Sequence, residues 1–112
     1  MTVPTDNETW VVERGGDVVE KEVRAGLATL SDWEHLLYCL WVADYMMRNA
    51  GDLANEPDLY PGFQREAMKR ARALGLAGAE TMFALSATQF EREYFDRFEN
   101  VCGEIRSAER AG

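Results

Sequence analysis

The stretch WEHLLYCLWVADYMM, Trp33 to Met47, constrains the fold of this chain more than any other segment. From Leu36 to Ala43 it carries no charged side chain over two helical turns. A segment of that length without strand-like alternation reads as helix, and a helix apolar all round is covered on most sides. The rest of the chain must therefore supply several elements that wrap it. Ser31 is a natural cap, and Glu34, three residues on, completes a capping-box pattern. Gly51 supplies a stop after Asn49 or Ala50. The central helix is expected over about residues 31–50.

The flanking sequence provides partners. Asp17 and Glu20 repeat the capping pattern, and Val19, Val23, Leu27 and Leu30 recur behind them at helical spacing. Gly15 and Gly16 read as a break, so residues 1–16 are expected to form a loosely ordered segment, with Trp10, Val11 and Val12 docking on the core. Residues 17–112 are then a single helical domain. Downstream, Pro61 suits a first helical turn, since its missing N–H would be unpaired there anyway. Phe63, Ala67, Met68, Ala71 and Leu74 form a stripe that Gly75 ends. AGAETMFAL fits a short helix with Met82, Phe83 and Leu85 inward. Ser86 and Gln89 open a last helix whose stripe is Phe90, Tyr94, Phe98, Val101 and Ile105. The expected fold class is all-α: one compact domain of about five helices around the central apolar one. A chain of 112 residues suits one domain with a real core.

Composition narrows the function. With 46% apolar and 29% charged residues the chain is globular, and no apolar run nears the roughly 20 residues of a membrane span. The N-terminus lacks a secretory pattern, so a cytoplasmic location is expected. Cys39 and Cys102 sit in apolar helical patterns and read as buried thiols, with a disulfide as the alternative. The single histidine, His35, lies one turn inside a helix start, where a partly exposed imidazole is unremarkable. No zinc, nucleophile-elbow, phosphate-loop or dinucleotide motif occurs, so neither an enzyme nor a cofactor or metal is expected. Asp52, Asn55, Glu56 and Asp58 offer oxygens without calcium-loop spacing and are good turn formers. Asp44 interrupts the apolar helix, and Arg48, four residues on, is its expected ion-pair partner.

The net charge is −8, and it is unevenly placed. Residues 1–60 hold twelve acids and four bases, whereas residues 61–112 hold eight of each. Such a surface repels nucleic acid and anionic membranes and attracts basic proteins. In RNAGDLANEPDLYPGF, residues 48–63, no base follows Arg48. Asp17 and Glu20 have Lys21 and Arg24 four residues on, but Asp52, Glu56 and Asp58 have no local partner. Those three are the leading candidates for a contact surface, followed by Glu13, Asp32 and Glu34. The bases Arg65, Lys69, Arg70 and Arg72 cluster, yet a pI of about 4.6 argues against nucleic-acid binding. They are expected to stay solvated or to pair with the acidic half, within the chain or across an oligomer. Arg92 with Asp96 and Glu93 with Arg97 are expected pairs four apart.

The central segment LLYCLWVADYMMRNAGD, a polar loop, and REAMKRARALGLAGAETMFALSATQF together resemble the DNA-mimic protein family, small acidic all-helical bacterial proteins. The shared pattern is an apolar helix ending in an N-G-G-F-like turn, here Asn49 to Asp52. A loop follows, and then a helix closing on an I-G-A-like turn, here Leu74 to Leu76. One glycine and the aromatic of the first turn are Ala50 and Asp52 in this chain. The resemblance covers about residues 31–90. It implies an acidic, dimeric protein that occupies the nucleic-acid site of a DNA-binding protein. Two readings follow. One is an inhibitor that blocks the basic surface of a regulator, nuclease, restriction or CRISPR complex. The other is an immunity or antitoxin-like protein that neutralises a toxin without imitating nucleic acid.

Overall fold

The computed structural model describes residues 6–109. Its central element, α2 (Asp32–Asn49), starts where the sequence places it. The Ser31 hydroxyl accepts from the Glu34 N–H at 3.1 Å, and the Glu34 carboxylate accepts from the Ser31 N–H at 2.9 Å. Eleven of its residues are buried, from Trp33 to Met47. Gly51 ends the helix with φ +75°, a backbone state that a side chain would strain.

Three helices surround α2. These are α1 (Asn7–Ala25), α4 (Phe63–Leu74) and α6 (Ala87–Ala108). Cross-contacts fix their directions. Glu8, Gly15 and Lys21 of α1 meet Arg48, Trp41 and Glu34 of α2, so those two helices run antiparallel. In α6, Ile105 accepts from the Trp33 indole at 2.7 Å while Tyr94 reaches Asp44, again antiparallel to α2. Arg70 of α4 binds Asp32 at 2.8 Å. The single turn α3 (Glu56–Leu59) and the short α5 (Ala77–Phe83) complete the set, with a 3-10 turn at Leu27–Thr29. Among the described residues there is no strand, and the all-α single domain stands.

The buried stripes of α4 and α6 follow the spacing of their apolar residues. Phe63, Ala67 and Ala71 are buried on α4, and Phe90, Tyr94, Phe98, Val101 and Ile105 on α6. Phe63 stands edge-on to both Phe83 and Phe90, at 6.3 and 6.0 Å between ring centroids. Such edge-to-face packing suits the ring quadrupoles. Both cysteines are free, buried thiols, and burial raises the pKa of each.

Three expectations are corrected. Residues 7–16 are the first half of α1, not a loosely ordered segment; residues 1–5 lie outside the described residues. Asp6, not Asp17, is the cap, accepting from the Thr9 N–H at 2.8 Å. The helix passes through Gly15 and Gly16 because Trp10, Val11 and Val18 all bury on the same side, which outweighs the helix cost of about 1 kcal/mol per glycine. The inward face is consequently displaced, leaving Val23 exposed and Val19 only partly covered. Pro61 is not in the first turn of α4. Proline occupies that role in α3, as Pro57, and α4 starts after Gly62 at φ +77°.

Candidate functional site

The acids of the 48–63 loop are partly used to build it. Asp52 accepts from the Ala54 N–H at 3.0 Å, an Asx-type turn, and Glu56 accepts from the Gly62 N–H at 2.9 Å, closing the segment ahead of α4. The loop is also tied down from α6, where Glu91 accepts from the Leu53 N–H at 2.8 Å. Asp58 alone of the three is exposed and makes no side-chain hydrogen bond or ion pair among the described residues.

Asp32 and Glu34 are engaged as well. Asp32 holds Arg70, and Glu34 serves both the capping box and Lys21, whose ammonium lies 2.9 Å away. Burial pushes the Glu34 carboxyl up, but the Ser31 N–H and Lys21 outweigh it and hold the group below its ordinary value. That placement of Lys21 overturns the expected cancellation along α1. Asp17 reaches only Arg14, at 3.8 Å, and Glu20 has no partner among the described residues. Glu13 is likewise exposed and unpaired there. Glu13, Asp17 and Glu20, spaced four and three apart, thus form a row of exposed carboxylates on the outer face of α1.

Other bases pair largely within the chain. Arg70 takes Asp32 and, at 3.7 Å, Glu66, and Arg72 takes Glu80 at 2.8 Å. Glu93 and Arg97 pair at 2.7 Å as their spacing suggests, whereas Arg92 and Asp96 form no ion pair among the described residues.

Next to the acidic row lies an apolar patch that sequence reasoning missed. Val12 of α1, Tyr45 of α2 and Phe95 of α6 are 56%, 49% and 49% exposed. Trp41 stacks on Tyr45 with centroids 5.7 Å apart, and a cleft of about 190 Å³ opens between Val12, Trp41, Tyr45 and Arg48. The Arg48 guanidinium sits over the rings of Phe95 and Phe98, at 5.2 and 4.9 Å from their centroids. Beneath it, Asp44 accepts from Arg48 at 2.9 and 3.1 Å and from the Tyr94 hydroxyl at 2.7 Å. Burial pushes the Asp44 carboxyl up, and these two donors restrain it. The ion pair was legible from the four-residue spacing. The patch was not, because its three exposed members come from three different helices.

Among the described residues, no group of three or more His, Cys, Asp or Glu side chains is placed to hold a metal ion. None of the described helices is long and apolar enough to cross a membrane. No protein-family model, curated protein or solved structure matches this chain.

Proposed function

We propose that the protein is an acidic interaction module that occupies the basic, nucleic-acid-binding surface of a partner protein. The observation that carries this reading is the exposed carboxylate row on α1, Glu13, Asp17 and Glu20, of which only Asp17 meets a base among the described residues, Arg14 at 3.8 Å. Successive members stand about 6 and 4.5 Å apart along the helix axis. Phosphates along one DNA strand are about 3.4 Å apart along the duplex axis, so the two arrays have comparable scale. We put the contact on α1 rather than on the 48–63 loop, because Asp52 and Glu56 of the loop serve backbone N–H groups. The resemblance to DNA-mimic proteins agrees with this reading. It would act by competition, and it needs no catalytic group.

The test is capture of a partner from native extract on the immobilised protein, eluted with a salt gradient. Release at moderate salt and displacement by duplex DNA are expected. Glu13→Lys with Asp17→Lys and Glu20→Lys should abolish capture, whereas Asp52→Lys with Glu56→Lys and Asp58→Lys should weaken it less. A partner that binds equally well with nucleic acid already seated would rule out competition.

The apolar patch favours a second reading, a toxin-neutralising protein that uses no mimicry. Tyrosine, tryptophan and arginine are the residue types that dominate protein interfaces. In that case Tyr45→Ala and Phe95→Ala remove capture, the α1 reversals spare it, and DNA does not compete.

A further inference from the structure

Three helices pack against the apolar α2, and its fourth side stays open. That side carries Tyr38, Trp41 and Tyr45, three and four residues apart and so on one face, between Glu34 and Asn49. Tyr45 is half exposed, and Tyr38 and Trp41 are only partly covered. Helix α1 widens the face. Val12, Gly16, Val19 and Val23 recur at four, three and four residues, and Val12 lines one cleft with Trp41 and Tyr45. The close approach of Gly15 to Trp41 sets the two stripes side by side. Val12 and Val23, 56% and 78% exposed, stand about 16 Å apart along the axis, three helical turns. Single exposed apolar residues are ordinary, but a continuous run of them rimmed by charge is the form of a docking surface.

The two rims differ. Outside the valines runs the carboxylate row of Glu13, Asp17 and Glu20. On the far side Tyr60 closes the face, its ring 5.6 Å from that of Tyr38. The Tyr60 hydroxyl lies 2.7 Å from Nε2 of His35, which is buried rather than partly exposed as its place near a helix start suggests. Lys69 of α4, exposed and in no ion pair among the described residues, adds positive charge beside His35. An occupant of this face therefore meets carboxylates along α1 and an ammonium on the α4 side, which favours bases on the first flank and not on the second.

We propose that this face receives an amphipathic helix of a partner protein. Aliphatic or aromatic residues at i, i+4 and i+7 seat between α1 and α2, and lysines or arginines lie along the flank over Glu13, Asp17 and Glu20. A helix suits the site because both walls are themselves helices, which offer apolar side chains and no free row of backbone N–H or C=O groups. The occupant's backbone must then satisfy its own polar groups. Tyrosine and tryptophan are also residue types on which interface energy concentrates. The carboxylate row is shared with the competition proposed above, and in that respect the inference rests on it. What the groove adds is the form of the partner's basic element, a helix with one apolar side.

The probe is a synthetic peptide of about eighteen residues, about 27 Å long as a helix, with leucines at i, i+4, i+7 and i+11, lysines on one flank and glutamines elsewhere. Titration into the full chain is followed by amide NMR and circular dichroism. Saturable shifts centred on Val12, Val19, Val23, Tyr38, Trp41 and Tyr45 are expected, with a gain in helical signal on binding. A permuted peptide of the same composition, whose leucines share no face, should bind at least about tenfold more weakly, and so should one with glutamate for every lysine. Val12→Gln, Val23→Gln and Tyr45→Ala change exposed positions without changing charge. Together they should weaken binding about tenfold or more with the protein's own helical signal retained. Equal binding of the permuted peptide would reduce the attraction to charge and overturn the proposal. So would binding without added helix, unchanged affinity in the folded triple variant, or a dimer in light scattering that the same substitutions dissociate, since a second copy would then cover the face. The two proposals fail separately. DNA-displaceable capture that survives the triple variant removes the groove and leaves the competition. Peptide binding at the valines, with capture that DNA does not displace, removes the competition and leaves the groove.

Discussion

Adjacent glycines in α1 show how identical residues acquire opposite roles. A Cβ on Gly15 would lie 2.8 Å from Trp41 Cδ1 and 3.1 Å from Trp41 Cβ, whereas one on Gly16 meets nothing within 4 Å. Gly15 is therefore what lets α1 approach α2, and Gly16 is only a weak point in a helix. Gly15→Ala should destabilise the protein by roughly 1–2 kcal/mol through overpacking, net of its helix-propensity gain. Gly16→Ala should stabilise it by up to about 1 kcal/mol. Urea unfolding of the two variants reads both signs, and equal effects would remove the packing explanation. His35 gives a pH signature at the same scale. Its folded pKa is lowered from 6.5, by burial first and Arg70 second. Below pH 6.5 the unfolded chain therefore takes up a proton that the native state refuses. Stability is retained above that pH and falls as pH drops through it, with a slope of at most about 1.4 kcal/mol per pH unit from this group. In His35→Gln that component should vanish, measured as the difference in urea-unfolding free energy between pH 7.5 and 5.5. A variant whose pH dependence matches the parent over that interval would show that His35 is not its source.

Among elements, α5 depends most on a neighbour. It is seven residues long and its own N-cap residue, Leu76, supplies no side-chain acceptor. Glu104 of α6 does so instead, accepting from the Gly78 N–H at 2.9 Å and the Ala79 N–H at 2.8 Å. Gly78 permits this, because a Cβ there would lie 2.6 Å from Glu104 Oε2. Glu104→Ala leaves both donors without that partner and should cost about 1–2 kcal/mol, the range of a lost helix cap. Amide exchange at Gly78 and Ala79 should accelerate more than that across α2, and uniform acceleration would argue against a local capping role. Helices whose start and stop are encoded within a few residues, such as α2 with its Ser31–Glu34 box and Gly51, were legible in the sequence. The 17–25 segment was read from the wrong starting point, since the burial of Trp10 and Val11 against other helices overrides two glycines. Pro61 misled for a related reason: Pro57 and Pro61 are both plausible first-turn residues until Glu56 closes on Gly62 and fixes where α4 begins.

For the whole molecule, the segregation of acids into the first half was fully visible in the sequence. Which of them remain open was not. Lys21 turns from Asp17 to Glu34, and Asp52 and Glu56 turn to backbone N–H groups, because tertiary geometry decides between partners of equal local merit. The His35–Tyr60 contact joins residues 25 apart, and nothing in either local sequence signals it. The same contacts that orient the helices also bring α1 and the end of α6 together. Asn7 bonds to Glu99 and Arg106, each at 2.9 Å, and Arg14 to Glu109 at 3.2 Å. Glu109 consequently lies beside Arg14, about two helical turns along α1 from Asp6, which a short tether can cover. The order in which the helices are strung is therefore separable from how they pack. A circular permutant joining residue 109 to residue 6 through about six glycine and serine residues, with a span of up to about 20 Å, leaves every helix intact if it opens between Ala54 and Asn55. Its helices would be synthesised with α4, α5 and α6 ahead of α1 and α2, so the apolar central helix would emerge last, onto partners already made.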